Sequence, residues 1–163
     1  MPELHDTSLE ARLRRLEDVE EIRALLLEYG RRLDAADFVG YSELFTRDGE
    51  LDAQLGSATG RAAIVALLEQ RLGSQPERPR PPAVHLNGNP AVTLDGDRAT
   101  SVVIWSYITH DDDGFPLLLQ LGHYYDDLVR EDGAWKFQRR RITRDLGFSP
   151  LDAPPRAQHE ETG

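Results

Sequence analysis

A chain of 163 residues, 39% hydrophobic and 29% charged, fits one globular domain that can bury a core without metal or disulfide staples. It contains no cysteine, which excludes a disulfide framework and thiolate chemistry, and no apolar run approaches the roughly 18 residues a membrane helix needs. A formal net charge of −10 repels phosphate backbones, so neither nucleic acid nor a membrane is expected as a partner.

The opening residues are charged and carry no secretory apolar region, so residues 1–8 read as a leader and the expected location is cytoplasmic. From Ser8, a plausible helix cap, apolar residues recur by threes and fours: Leu9, Leu13, Leu16, Val19, Ile22, Leu25, Leu26, Tyr29 and Leu33. That period predicts a long helix, or two helices broken near Asp18. Residues 38–45 predict a short second helix. Thr46-Arg47-Asp48-Gly49 is a turn signal, with a short strand near residues 50–55. Ile64, Leu67, Leu68 and Leu72 predict a third helix. Four prolines within residues 73–82 then enforce a loop.

After that loop the period changes from 3.6 to 2. Strands are predicted at residues 83–87, 91–94, 100–110, 117–130 and 135–143, with hairpin turns at Asp95-Gly96-Asp97 and Glu131-Asp132-Gly133. The proline- and charge-rich residues 149–163 read as a tail. Helices followed by an antiparallel meander imply one α+β domain over residues 9–148, with helices covering one sheet face.

Several stretches, in this order, resemble the nuclear transport factor 2-like superfamily. They are Tyr29 to Asp37 (YGRRLDAAD), Leu44-Phe45-Thr46-Arg47-Asp48-Gly49, Gly60-Arg61-Ala62-Ala63-Ile64, and His85-Leu86-Asn87-Gly88-Asn89-Pro90 with Asp95-Gly96-Asp97. Gly122 to Arg130 (GHYYDDLVR) with Gly133-Ala134-Trp135-Lys136-Phe137 completes them. The motifs resemble its polyketide-cyclase and scytalone-dehydratase-like branch, over residues 9–146. The resemblance implies a cone-shaped roll, a strongly curved mixed or antiparallel sheet wrapped around three N-terminal helices, leaving a pocket for a small hydrophobic molecule. It also implies a homo-oligomer, dimer or trimer, since open curved sheets of this fold commonly pack face to face.

The candidate chemistry centres on Asp34 and His85. Asp34 ends the first helix, where negative charge is unfavourable and an imidazolium would compensate it, although a solvated turn carboxylate reads equally well from the residues alone. His85 opens a strand beside apolar residues and could be a satisfied core side chain. By the resemblance, His85 falls where dehydratases place a general base and Asp34 where they orient it. Imidazole suits that task because it accepts and returns a proton near neutral pH. Tyr29 could stabilise developing enolate charge, or simply continue the core stripe.

Arg140 could hold a substrate or leaving group, or pair with a carboxylate such as Asp126. Strand alternation puts Arg139 and Arg141 on the other face from Arg140, so which of them points inward depends on register, and a bulge would reverse it. His110, Trp105 and Tyr124 are further substrate-binding candidates, His110 competing with a solvated strand end; His123 is a weaker one, and His5 and His159 lie in the expected flexible ends. No metal-ligand spacing, calcium loop, glycine-rich phosphate loop or nucleophile elbow is present, so no metal and no cofactor are expected. The expected function is a cofactor-independent lyase of dehydratase type, or an isomerase, acting on a cyclic substrate. A polyketide cyclase and a non-catalytic binding or assembly module are the alternatives.

Overall fold

The computed structural model describes residues 8–73 and 82–147. The expected leader, the tail, most of the proline-rich segment, His5 and His159 lie outside the described residues.

The first element, α1 (Leu9–Asp34), is one continuous helix whose Ser8 hydroxyl accepts the Ala11 N–H at 3.1 Å. It does not break at Asp18. That side chain turns inward, accepts the Trp135 indole N–H at 3.1 Å and pairs with Arg130, so its charge is compensated inside the fold. Ile22, Leu25, Leu26, Tyr29 and Leu33 form the buried face, each large apolar side chain contributing about 1.5–3 kcal/mol of burial. Leu9, Leu13 and Leu16, expected on the same stripe, are exposed instead. Steps of about 100° per residue carry them to the far side of the helix from Ile22 and Tyr29.

A short α2 (Phe38–Ser42) follows, capped by Asp37, which accepts the Gly40 N–H at 2.9 Å. Next come β1 (Phe45–Ala53), β2 (Gly56–Thr59) and α3 (Arg61–Leu72), the last burying Ile64 and Leu68. Four long strands follow, β3 (Val84–Asp95), β4 (Arg98–His110), β5 (Pro116–Glu131) and β6 (Ala134–Gly147).

All six strands form one curved mixed sheet in the order β2-β1-β6-β5-β4-β3. β1 and β6 run parallel, and every other pair is antiparallel. Three local readings change. The Thr46–Gly49 turn signal is an irregularity inside β1, where register shifts between Phe45 and Glu50. Residues 83–87 and 91–94 belong to a single β3 with an irregularity between Gly88 and Ala91, where Asn89 has a positive φ of 49°. The four-residue β2, with only Ala58 buried, carries too little alternation to be seen in sequence.

Cross-strand pairing aligns side chains in rows on the inner face: Ala99 with Leu128 and Phe137, Ser101 with Asp126 and Arg140, Val103 with Tyr124 and Ile142. α1 crosses beneath these rows, so the core lies between helix and sheet. Gly122 keeps the next row flat. A Cβ there would stand 1.9 Å from the Thr143 carbonyl oxygen and 2.9 Å from the Trp105 indole nitrogen. Among the described residues no helix is long and apolar enough to cross a membrane.

Candidate active site

β3 is the sheet's outermost strand on one side, so half of its backbone groups lack a strand partner. The end of α1 supplies one. Asp34 Oδ2 accepts the backbone N–H of His85 at 3.0 Å, while its Oδ1 lies 2.6 Å from His85 Nδ1. One carboxylate thus holds both the backbone and the ring of the same residue, fixing position and rotamer together. Nδ1 facing a carboxylate carries the ring proton, which leaves Nε2 as the basic nitrogen. The two side chains are 13% and 21% exposed, shielded yet not sealed.

The ring of His85 packs against Tyr107, its cross-strand neighbour, at a centroid distance of 4.8 Å, and lies 6.4 Å from Trp105. Two residues further along the same strand face, Asn87 donates from Nδ2 to the Leu26 carbonyl at 2.7 Å, a second stitch between β3 and α1. Sequence reading did not single out Tyr107 or Asn87 as parts of the site. Their two-residue spacing from Trp105 and His85 along one strand face is the signal that could have found them.

The remaining candidates sit deeper. Tyr29, Trp105, Tyr124 and Arg140 are all 5% exposed or less, within the packed core. Tyr41 donates to the Tyr29 oxygen at 2.6 Å, and the Trp105 indole donates to the Thr143 carbonyl at 3.1 Å. Burial pushes the Tyr29 phenol above its ordinary pKa, with the Arg140 charge pulling the other way. Burial likewise holds Tyr41 and Tyr124 well above theirs, so all three stay protonated.

Arg140 points inward and is wholly buried. Its Nε and Nη2 donate to Asp126 at 2.6 and 2.7 Å, and Ser101 donates to the same carboxylate at 2.6 Å. Its guanidinium carbon stands 4.0–4.2 Å from the ring centres of Tyr29, Phe137 and Tyr124. Burial alone lowers an arginine pKa, but the Asp126 charge and hydrogen bonds more than offset it, so the group stays ionised. Of the two sequence readings for Arg140, the structure shows the carboxylate pairing directly. Nη1 of Arg140 and Oδ1 of Asn87 are buried without a hydrogen-bond partner among the described residues.

A bulge sets that orientation. Asp127 pairs with Arg139 and Leu128 with Phe137, so Gln138 is an extra residue in β6. Trp135 and Phe137 face inward at odd positions, and the extra residue turns even-numbered Arg140 inward after them. Arg139 and Arg141 stay outside, Arg139 beside Glu50 and Asp52 at 3.6 Å each and Arg141 over the Tyr125 ring.

The structure does not bring His110 to this group. It ends β4 exposed, three residues past Tyr107 and so on the opposite face, with Nδ1 2.8 Å from the Asp111 carbonyl. His123 also faces outward, where Nδ1 lies 2.5 Å from Asp145. Among the described residues no group of three or more His, Asp or Glu side chains is placed to hold a metal ion.

Helices beneath a curved six-stranded mixed sheet define an α+β roll of the nuclear transport factor 2-like class. Within that class the chain belongs to the SnoaL-like domain family, which matches residues 14–141. An uncharacterized protein of Mycobacterium tuberculosis is 33% identical over 132 residues, covering 79% of this chain and 86% of its own. A crystal structure of a nuclear transport factor 2-like protein with a cystatin-like fold from Novosphingobium aromaticivorans is 32% identical with a TM-score of 0.73. It covers 91% of this chain and 94% of that one. A scytalone dehydratase-like protein of the same organism is 25% identical with a TM-score of 0.66, covering 81% and 87%.

Proposed function

We propose that this chain is a lyase of dehydratase type acting on a small, largely apolar cyclic substrate, with Asp34 and His85 as its acid–base pair. The observation that carries this reading is the two-point grip of the Asp34 carboxylate on His85, which fixes the tautomer a general base requires. His85 Nε2 takes a proton from the carbon next to an activating carbonyl. The electron pair forms the new double bond as hydroxide leaves the adjacent carbon, and the imidazolium returns its proton so that water departs. Asp34 stabilises the imidazolium between the two transfers.

Tyr29 and Arg140, the candidates for the transient negative charge, would meet a substrate only where it displaces their present core packing. The phenol is kept protonated by burial, and the guanidinium retains one unpartnered N–H-bearing nitrogen. Likeness to a scytalone dehydratase-like protein supports dehydration. The reading needs no cofactor, since proton removal and return fall within the reach of one imidazole. His85→Ala and Asp34→Asn, assayed on cyclic β-hydroxy ketones and β-hydroxyacyl compounds, test it. Turnover by wild type and loss in both variants is the expected result, and unchanged turnover in both would sink the mechanism.

A non-catalytic binding module is the second reading. It is favoured by the near-complete burial of Tyr29, Trp105, Tyr124 and Arg140. Tight binding of the same compounds with no turnover by wild type would select it.

A further inference from the structure

The outward side of α1 carries a second apolar stripe. Leu9, Leu13 and Leu16 are 79%, 53% and 68% exposed, and Leu27 is 53% exposed. Spacings of four, three and eleven residues at about 100° per residue keep all four within a narrow strip opposite the buried face. From Ser8 to Glu17 only Ala11 is even partly covered, so this part of α1 packs on nothing within the described chain. A stretch that short is marginal as an isolated helix in water. It gains by burying its leucines elsewhere.

The charges beside the stripe identify what it fits. Arg12 borders it on one side, Glu10 and Glu17 on the other. Among the described residues none of these three has an ion-pair partner in its own chain. With Leu13 and Leu9/Leu16 as the two seam positions of a heptad, Arg12 precedes the first and Glu10 and Glu17 follow the second. Opposite charges at these flanks, five residues apart, meet across two helices running parallel and in register. An antiparallel pair would set like flank against like flank, arginine toward arginine and glutamate toward glutamate.

We propose that the N-terminal half of α1 pairs in parallel with α1 of a second copy of this chain. Leu9, Leu13 and Leu16 each face their own counterpart, and Arg12 meets Glu17 of the second copy on both sides of the seam. The core faces of the two helices then point away from each other, which leaves room for both domains. Three leucine layers bury less than the roughly 800 Å² per partner of a standard interface, so the pairing depends on concentration.

The absence of cysteine from these 163 residues makes the test clean, because Leu13→Cys gives the chain one thiol, at a seam position. Under mild oxidation it should form disulfide-linked dimer at least about tenfold faster than Arg14→Cys, one residue round the helix, since pairing holds the two thiols at high effective concentration. Adding Arg12→Glu or Glu17→Arg should each slow the cross-link about fivefold, and both together should restore it. Equal rates for Leu13→Cys and Arg14→Cys overturn the proposal. That is also the result if a second copy binds the sheet, or if the chain's own residues cover the stripe. Failure of the double charge swap to restore the rate overturns the parallel register.

Discussion

Two His–carboxylate pairs sit on opposite faces of one sheet, and they differ in everything except the contact itself. Asp34 and His85 meet at 2.6 Å, Asp145 and His123 at 2.5 Å, each through Nδ1. The inner pair is 13% and 21% exposed on its His and Asp, the outer 31% and 40%. Asp34 also holds the backbone of its histidine and comes from another element 51 positions away. Asp145 instead accepts from Thr143, its near neighbour on β6. Tyr107 and Trp105 stand beside the inner ring and, among the aromatic side chains of the described residues, Tyr125 beside the outer. A short His–carboxylate distance is therefore no signature of a site. What separates the pairs is burial beside two aromatic rings, where charge is more weakly screened.

The comparison breaks most visibly in turnover. His85→Ala should reduce kcat/KM by a factor of about 10²–10⁴, the usual worth of a positioned general base. His123→Ala should leave it within about twofold, because its ring lies on the opposite face of the sheet from Asp34 and His85. Steady-state rates on one substrate panel check both. A large loss in the outer variant would transfer the site to the other face.

Stability distinguishes the ground on which the inner pair stands. Arg140→Met leaves the buried Asp126 charge without its guanidinium and should cost about 3–5 kcal/mol in denaturant unfolding, with Asp126→Leu in the same chain recovering much of it. The pairs themselves come next. Asp34→Ala orphans a backbone N–H as well as the ring and should cost about 1–3 kcal/mol. Asp145→Ala should cost less than about 1 kcal/mol and matter less still in high salt.

The smallest effect lies just beyond the inner pair, at the cap of α2. Arg32 and the Gly40 N–H hold the Asp37 carboxyl below its ordinary pKa. Its stabilising contribution is therefore fully present above the ordinary carboxylate value and is lost as pH falls through the lowered one. Asp37→Asn should be slightly less stable than wild type at neutral pH, with the gap closing in strong acid as followed by thermal melts.

Much of this molecule is written in local periodicity. The helical spacing that ends at Leu33, the switch to alternation after the proline-rich segment, and the hairpin turns at Asp95-Gly96-Asp97 and Glu131-Asp132-Gly133 all fix element type through neighbours a few residues apart. Likeness of motif order added the branch of fold and put Asp34 and His85 on one page. Where an apolar series covers more than one helix face, periodicity misleads: Leu9, Leu13 and Leu16 continue the spacing but not the face. Asp18 looks like a break because its partners, Trp135 and Arg130, lie more than 110 positions away.

Composition and local pattern specify an acidic, cysteine-free α+β domain and a short roster of polar residues able to move protons. Which of them meet is set by contacts between distant segments. A single extra residue, Gln138, turns Arg140 inward, and an outermost strand in need of a hydrogen-bond acceptor brings His85 to the end of α1. Both depend on register and on contacts between distant segments, which no local pattern encodes because each side chain's face is set by the strand or helix it lands against.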